Sequence, residues 1–443
     1  MTGLRIGWST PWNERSAIAD FAGEVGQALV ARGHEVTILR SEAGEAAALP
    51  ARPGPFPVFH LDELDDDALR RRFDVVVAHL GNHQPYHGAQ VARLDGVGMV
   101  GVFHDLFLAH LAAGWFEHAG NPAGVVQAAR DLYGPEGMPE GEPFWIDLAE
   151  MVRRRPMLEW LSRRCVAAVA HAGHYEARLR QSCPGPVATI PLAFVAPGLP
   201  PPPPPGGWLT VAAIGHANPN KRIDQIIMAI GSSARLRGRC RLRVIGEATA
   251  DERARLEGLA AVLGIEPPAF TGWVDDDALR WQLRDVDVIT CLRNPVLEGA
   301  SASVITAMAS ARPTLVTDHG CYAEIPKDAV MACRPEAEAL DAMRHLEGML
   351  ARPEEGAALA ARGKALALTR HAPAAYAEAL LPLLETVVAD RPRREARRHL
   401  FSTLGSLGLG PADPAARRAE AVVAGMGQDV ASIAEARRIA RLP

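Results

Sequence analysis

The sequence predicts an α/β protein of two doubly wound, Rossmann-like domains facing a cleft. Three observations carry this. Apolar runs of strand length alternate with helical spacings through most of the chain. At 443 residues the chain is too long for one hydrophobic core. Near its middle, Pro200 to Pro205 is an unbroken Pro run followed by Gly206 and Gly207. Such a run forms a stiff polyproline II spacer, and the glycines form a pivot. The domains are therefore drawn at 1–196 and 208–388, with a linker at 197–207 and a helical extension at 389–443.

Leu4 to Ser9 reads as the first strand. Ser16 to Arg32 carries Ile18, Phe21, Val25 and Leu29 at helical spacing, with Gly33 as its stop. His34 to Leu39 is the second strand, which gives a β-α-β opening with a right-handed crossover. No G-x-G-x-x-G follows the first strand, so the nicotinamide and flavin fingerprint is absent. Phe73 to Leu80 and Val97 to Phe103 are two further buried strands. Their C-terminal ends carry HLGNHQPYH and HDLFLAH. This collects His, Asn and Asp where a doubly wound domain keeps its functional groups. No spacing there locks three ligands onto one element, so no metal site is expected. Trp115 to Arg155 interrupts the rhythm. It is rich in Gly, Pro and acids, with Trp115, Phe116, Tyr133, Phe144 and Trp145, and reads as a long loop serving as lid or binding element. Met157 to Arg164 is a helix, Val166 to His171 a strand, and Val187 to Ala193 closes the first domain.

Trp208 to Gly215 opens the second domain and leads into HANPNKRIDQIIMAI, a loop and an amphipathic helix. Lys221 and Arg222 stand at the helix start. Cations are unfavourable beside the positive end of a helix dipole unless an anion joins them, which points to a phosphate. Leu242 to Gly246 is a strand, Asp251 to Leu263 a helix, Phe270 to Val274 a strand and turn, and Asp276 to Leu283 a helix. Val286 to Leu292 is a buried strand. A loop with Asn294, Pro295, Glu298 and Gly299 follows, then a helix from Ser301 with Val304, Ile305, Met308 and Ala309 on one face. Arg312-Pro313 stops it before the strand Thr314 to Thr317. A strand end, a Gly-bearing loop and a helix start with free N–H groups suit a phosphate. Ser301 is the natural N-cap, and Ser303 helps to satisfy those donors. Ala329 to Cys333 is the last strand, and helices run from Pro335 to Val388. Asp390 to Pro443 is Arg- and Ala-rich and reads as two amphipathic helices. Self-association, acidic-lipid contact and a partner remain open as their role.

The bulk figures narrow the class. Hydrophobic residues make up 48 % and charged residues 22 %, ordinary for a globular protein. The net charge of −5 gives no reason to expect a nucleic-acid partner. Six Cys without a C-x-x-C pair read as reduced, mostly buried thiols of a cytosolic protein. No signal peptide and no membrane span are expected.

Taken in order, these segments resemble the family-4-like retaining glycosyltransferases of the GT-B fold. TPWNERSAIADF resembles that family's P-x-x-SGIADY turn, with Ala17 in place of its Gly. Gly81, Asn82 and His87, then His104, Asp105 and His110, match two of its His-bearing segments. Phe270 to Val274 resembles its F-x-G-x-V segment. Lys221 matches its Lys, while His216 stands where many members have Arg. Glu298 matches the first Glu of its Glu-x7-Glu pattern, and Thr306 replaces the second. The resemblance covers roughly residues 4 to 385.

The resemblance implies transfer of a sugar, with retention, from a nucleotide-diphosphate sugar to an acceptor hydroxyl. Neither a metal nor another cofactor is needed. His104, Lys221 and Glu298 would be catalytic. Gly215, His216, Asn218, Lys221, Arg222, Glu298, Gly299, Ala300, Ser301, Ser303 and Thr306 would bind the donor. Ser16, Asp20, Asn82, His87 and Asp105 would lie on the acceptor side. The acceptor would be a sugar, a lipid-linked molecule or another small molecule, and the chain's last helices would cross back to the first domain. A cytoplasmic location is expected, with peripheral contact at the inner membrane face and a homodimer left open. Two alternatives stand beside this reading. One is a nucleotide-sugar epimerase or hydrolase of the same fold, marked by turnover without acceptor. The other is a catalytically degenerate relative that binds a nucleotide or a partner, which Thr306, Ala17 and His216 keep in play.

Overall fold

The structure, a computed structural model, describes residues 3–195 except Arg15, then Gly198 and residues 207–406. Beyond 406 it describes only residues 413, 414, 417, 418 and 423. The hinge reading of 197–207 and most of the extension therefore lie outside the described residues.

The first half folds as β1 (Arg5–Thr10), α1 (Ala17–Val30), β2 (Glu35–Arg40), β3 (Val58–His60), α2 (Asp66–Arg72), β4 (Val75–Leu80), α3 (Gln84–Arg93) and β5 (Val100–Phe103). It continues through α4 (Ala109–His118), α5 (Gly124–Gly137), α6 (Leu148–Arg154), α7 (Leu158–Ser162), β6 (Ala167–Ala170), α8 (Glu176–Ser182) and β7 (Val187–Thr189). The second half runs β8 (Leu209–Ile214), α9 (Ile223–Ser232), β9 (Cys240–Ile245), α10 (Ala250–Val262), β10 (Ala269–Phe270), α11 (Asp276–Leu283), β11 (Val288–Cys291), α12 (Ala302–Ala309), β12 (Thr314–Thr317) and β13 (Met331–Cys333). Three helices close it: α13 (Glu338–Ala351), α14 (Pro353–Arg370) and α15 (Pro373–Ser406).

Two all-parallel sheets result, ordered β3-β2-β1-β4-β5-β6-β7 and β10-β9-β8-β11-β12-β13. Parallel sheets covered on both faces need strands that are apolar throughout, and β4, β5, β6, β11 and β12 are buried at every position. In each sheet the order reverses between the first and fourth strands, β1/β4 and β8/β11. Ligands of open α/β sheets bind in the crevice beyond the strand ends at such a reversal.

Two expectations change. Trp115 to Arg155 is a packed helical layer, not a long loop. α5 buries Val125 and Ala129, four residues apart, and α6 is capped by Asp147, which accepts from the amides of Ala149 and Glu150. The Gly/Pro-rich segment between them is pinned by buried Arg155, whose guanidinium meets Glu142 at 2.8 Å and the Pro143 carbonyl at 2.9 Å. Trp115 and Phe116 pack on Trp160, and the Tyr133 hydroxyl donates to Glu159. The second change is β3, a three-residue edge strand that the sequence reading passed over.

Chain contacts group Met1–Ala379 as one compact unit and Leu380–Pro443 as another. Within the first unit the closing helices do return to the first sheet's domain. Phe194 N donates to His371 O at 2.9 Å, and Arg32 donates to Ala374 O at 2.9 Å. In the second unit, residues 390–406 continue α15 rather than starting a new helix, and Arg394 is paired with Asp390 at 3.0 Å. All six cysteines are free and buried. No single described helix is long and apolar enough to cross a membrane.

Candidate active site

The loop between β11 and α12 is held against the first domain by main-chain bonds. Leu106 N and Phe107 N donate to Leu297 O at 2.9 and 3.0 Å, and Gly299 N donates to His104 O at 2.8 Å. Asp105 and Glu298 thus pair as an antiparallel bridge. Gly299 is required by this approach: a Cβ there would overlap the Tyr175 hydroxyl and stand 3.0 Å from the His104 carbonyl. Tyr175 itself is fixed, donating to Phe103 O at 2.8 Å and accepting from His171 N at 2.6 Å. Ser301 caps α12, accepting from Val304 N at 3.4 Å. The first-turn amides of α12 have no acceptor within the helix. Ala300, Ser301 and Ser303 are partly exposed there, while Thr306 is buried at 5 % exposure.

Glu298 is anchored by two residues that the sequence reading left unassigned. Arg293 Nε donates to Glu298 Oε1 at 3.1 Å, and the Tyr322 hydroxyl donates to the same oxygen at 2.6 Å. Arg293 is itself buried. The signal available for it was a charge at the end of an otherwise apolar strand. Tyr322 lies in a different loop, and nothing local marked it.

Lys221 lies beyond the end of β8. Its ammonium donates to the Ile214 carbonyl. Burial, then the nearby positive charge of Arg293, pulls its pKa down to about 7, with Glu298 and Cys291 opposing. Lys221 and Glu298 therefore sit within each other's field. Gly215, at φ +89°, leaves room for this side chain, since a Cβ would stand 2.6 Å from Nζ. Asn218 Oδ1 is buried with no hydrogen-bond partner among the described residues, and His216 is exposed. Arg222 requires a correction. Its Nε is 2.6 Å from Glu338 Oε2, a carboxylate buried at 2 % exposure that needs a cation, so Arg222 is not a spare charge.

In the first domain, His104 Nε2 lies 3.2 Å from His79 Nδ1, and its ring packs against His171 and Phe21. Burial holds the His104 pKa well below the usual histidine range. Asp105 Oδ2 accepts from Asn82 N at 2.9 Å. Burial and, to a lesser degree, Glu298 raise the Asp105 pKa to about 7. Asn82 Oδ1 accepts from the amides of His110 and Leu111, both at 3.0 Å, and so caps α4. An open pocket of about 400 Å³ adjoins it, lined by Asn82, His83, Gln84, His110 and Glu117 among others. Trp145, from the helical insertion, stacks on His110.

Three acceptor-side residues have structural partners. His87 is buried at 3 % exposure, bonded to Gln90, and held at a pKa of about 4 by burial. Ser16 is the N-cap of α1, accepting from Ala19 N. Asp20 is ion-paired with Arg52. Among the described residues no three His, Cys, Asp or Glu side chains converge as metal ligands.

Comparison with known proteins follows the same lines. Residues 209–362 match the family model of glycosyl transferases group 1. No curated protein matches the sequence. Among solved structures, Alr3699/HepE of Anabaena in complex with UDP-glucose is similar with a TM-score of 0.58 at 13 % identity, over 86 % of this chain and all of that one. The sucrose-phosphate synthase of Thermosynechococcus elongatus is similar with a TM-score of 0.56 at 16 % identity, over 87 % and 99 %. AviGT4, a glycosyltransferase of avilamycin A biosynthesis, is similar with a TM-score of 0.50 at 15 % identity, over 87 % and 98 %. At such identities the structures speak for the fold, and the family model speaks for the second domain. The chain therefore has the GT-B fold, and residues 209–362 of its second half match the group 1 glycosyl transferases.

Proposed function

We propose that the chain moves a glycosyl group, with retention, from a nucleotide-diphosphate sugar to an acceptor hydroxyl, without a metal. One observation carries this reading: a partly buried ammonium, Lys221, with no carboxylate bonded to it among the described residues, within the field of Glu298. A departing diphosphate supplies the anion that such a cation lacks. HepE, solved with UDP-glucose, supports a nucleotide sugar as the donor.

In the reaction the bond from the anomeric carbon to the phosphate oxygen breaks first, leaving oxocarbenium character on the sugar. Lys221 and the first-turn amides of α12 stabilise the charge growing on the leaving group. Glu298, fixed by Arg293 and Tyr322, holds sugar hydroxyls and faces the positive ring. The acceptor oxygen then bonds to the anomeric carbon from the side of the departing phosphate. Its proton passes to a phosphate oxygen, so the configuration is kept. The pocket beside Asn82 lies one hydrogen bond from Asp105 and is the acceptor side of this scheme.

Incubation with UDP-glucose and a panel of acceptors, read by product NMR, tests the proposal. The expected product keeps the donor's anomeric configuration and forms equally in EDTA. An inverted product, or loss of activity in EDTA restored by a divalent ion, would refute the corresponding part. Fast turnover without any acceptor would favour the hydrolase alternative. Lys221→Ala and Glu298→Ala are each expected to lose at least a hundredfold in kcat/KM.

A further inference from the structure

Behind His104 lies a second imidazole that the proposed reaction does not use. His79, near the end of β4, is fully buried, and its Nδ1 faces His104 Nε2 at 3.2 Å. Its other nitrogen, Nε2, is buried without a hydrogen-bond partner among the described residues. Trp8 and Phe21 stand edge-on around the ring, with centroids at 4.5 and 5.5 Å.

A single proton bridges the two facing nitrogens, and its origin fixes both tautomers. If His104 donated it, the proton of neutral His79 would have to sit on Nε2, as a buried N–H with no acceptor. If His79 donates it, Nε2 keeps only an unused lone pair. Buried orphan N–H groups are rarer and costlier than under-used acceptors. His171, the third ring of the cluster, does not compete: its Nδ1 faces the Ile190 carbonyl at 3.1 Å. Burial disfavours the charged form of all three rings.

We infer that His79 is a positioning residue that sets the tautomer of His104. It donates through Nδ1 to His104 Nε2, so His104 carries its proton on Nδ1 and offers the ligand a hydrogen-bond donor. The functional consequence rests on the transferase reading. His104 recognises an oxygen of the donor sugar or its phosphate, and it does not take the acceptor's proton. That role stays with the leaving phosphate.

The test uses full-length protein labelled with 15N-histidine. Long-range proton–nitrogen correlation spectra show which nitrogen of each neutral ring is protonated. His104 is expected to be protonated at Nδ1 in the unaltered protein. It should remain so in His79→Asn, whose amide keeps an N–H near the Nδ1 position, but not in His79→Phe. In parallel, His79→Phe should lower kcat on UDP-glucose about tenfold at unchanged UDP affinity, with His79→Asn restoring it. His104 protonated at Nε2 in the unaltered protein would overturn the inference, whether or not UDP-glucose turns over and whether or not the variants fold. Absence of UDP binding would instead sink the transferase reading and leave the tautomer result standing.

Discussion

At the scale of single residues, the sharpest expectation concerns Lys221. Its pKa is about 7, lowered chiefly by burial. The anion binds the protonated form, so UDP affinity should be flat below about pH 7 and fall as the pH rises through it. Calorimetry in buffers of different ionisation heat should show proton uptake on binding at pH 8. The same shift acts oppositely on stability. The unfolded lysine, with a pKa of about 10.4, binds more protons than the folded one above pH 7, so this group's contribution rises with pH across that window. Gly215→Ala is a second test. The substitution adds a Cβ in the path of the Lys221 ammonium at a positive φ, and should cost about 1–2 kcal/mol in urea unfolding while abolishing UDP binding. Legibility at this scale was uneven. Glu298 and Lys221 stand out because each lies in the short segment between a buried strand and the next helix. Tyr322 and Arg293 acquire meaning only through contact with Glu298, and His79 only through His104, and such pairings do not show in a linear spacing. His87 lies inside α3, and a histidine just past a strand looks the same in sequence whether it faces the crevice or the core.

At the scale of elements, the parallel strands could be read because burial on both faces makes them unbroken apolar runs. β3 escaped because an edge strand of three residues has too little apolar content to show. The insertion escaped because its glycines and prolines outweighed two short helical stripes, and its order comes from Arg155 and Glu142, a tertiary pairing. α12 is eight residues long and depends on its cap. Ser301→Ala should cost about 1 kcal/mol in denaturant unfolding and raise KM for the donor, since the cap also aims the first-turn amides. Unchanged KM with reduced stability would separate the cap from the binding of the phosphate.

At the scale of the molecule, the two sheets are joined by more than the connecting segment. Glu324, in the turn after β12, accepts from Gly173 N at 3.0 Å and His174 N at 2.8 Å, both in the first half of the chain. Glu324→Ala removes both acceptors, and the variant should show a larger radius of gyration by X-ray scattering without UDP, with partial recovery when UDP is added. An unchanged radius in both states would show that the carboxylate does not hold the halves together. The overall plan was legible from repetition alone, because two runs of alternating strand and helix separated by a Pro break permit few topologies. The face-to-face arrangement of particular loops was not, because it depends on contacts between positions nearly two hundred residues apart.

The bonds from Leu106, Phe107 and Gly299 across the crevice are made by peptide groups and owe nothing to side-chain chemistry. Alanine scanning at Leu106 and Phe107 would pass over this seam in silence, because each variant keeps its amide; only at Gly299 would an added Cβ disturb it. Replacement of Phe107 by proline deletes one of those donors outright. Side chains at Leu106 and Phe107 on the rim of the crevice can therefore be exchanged while the stitching beneath is kept.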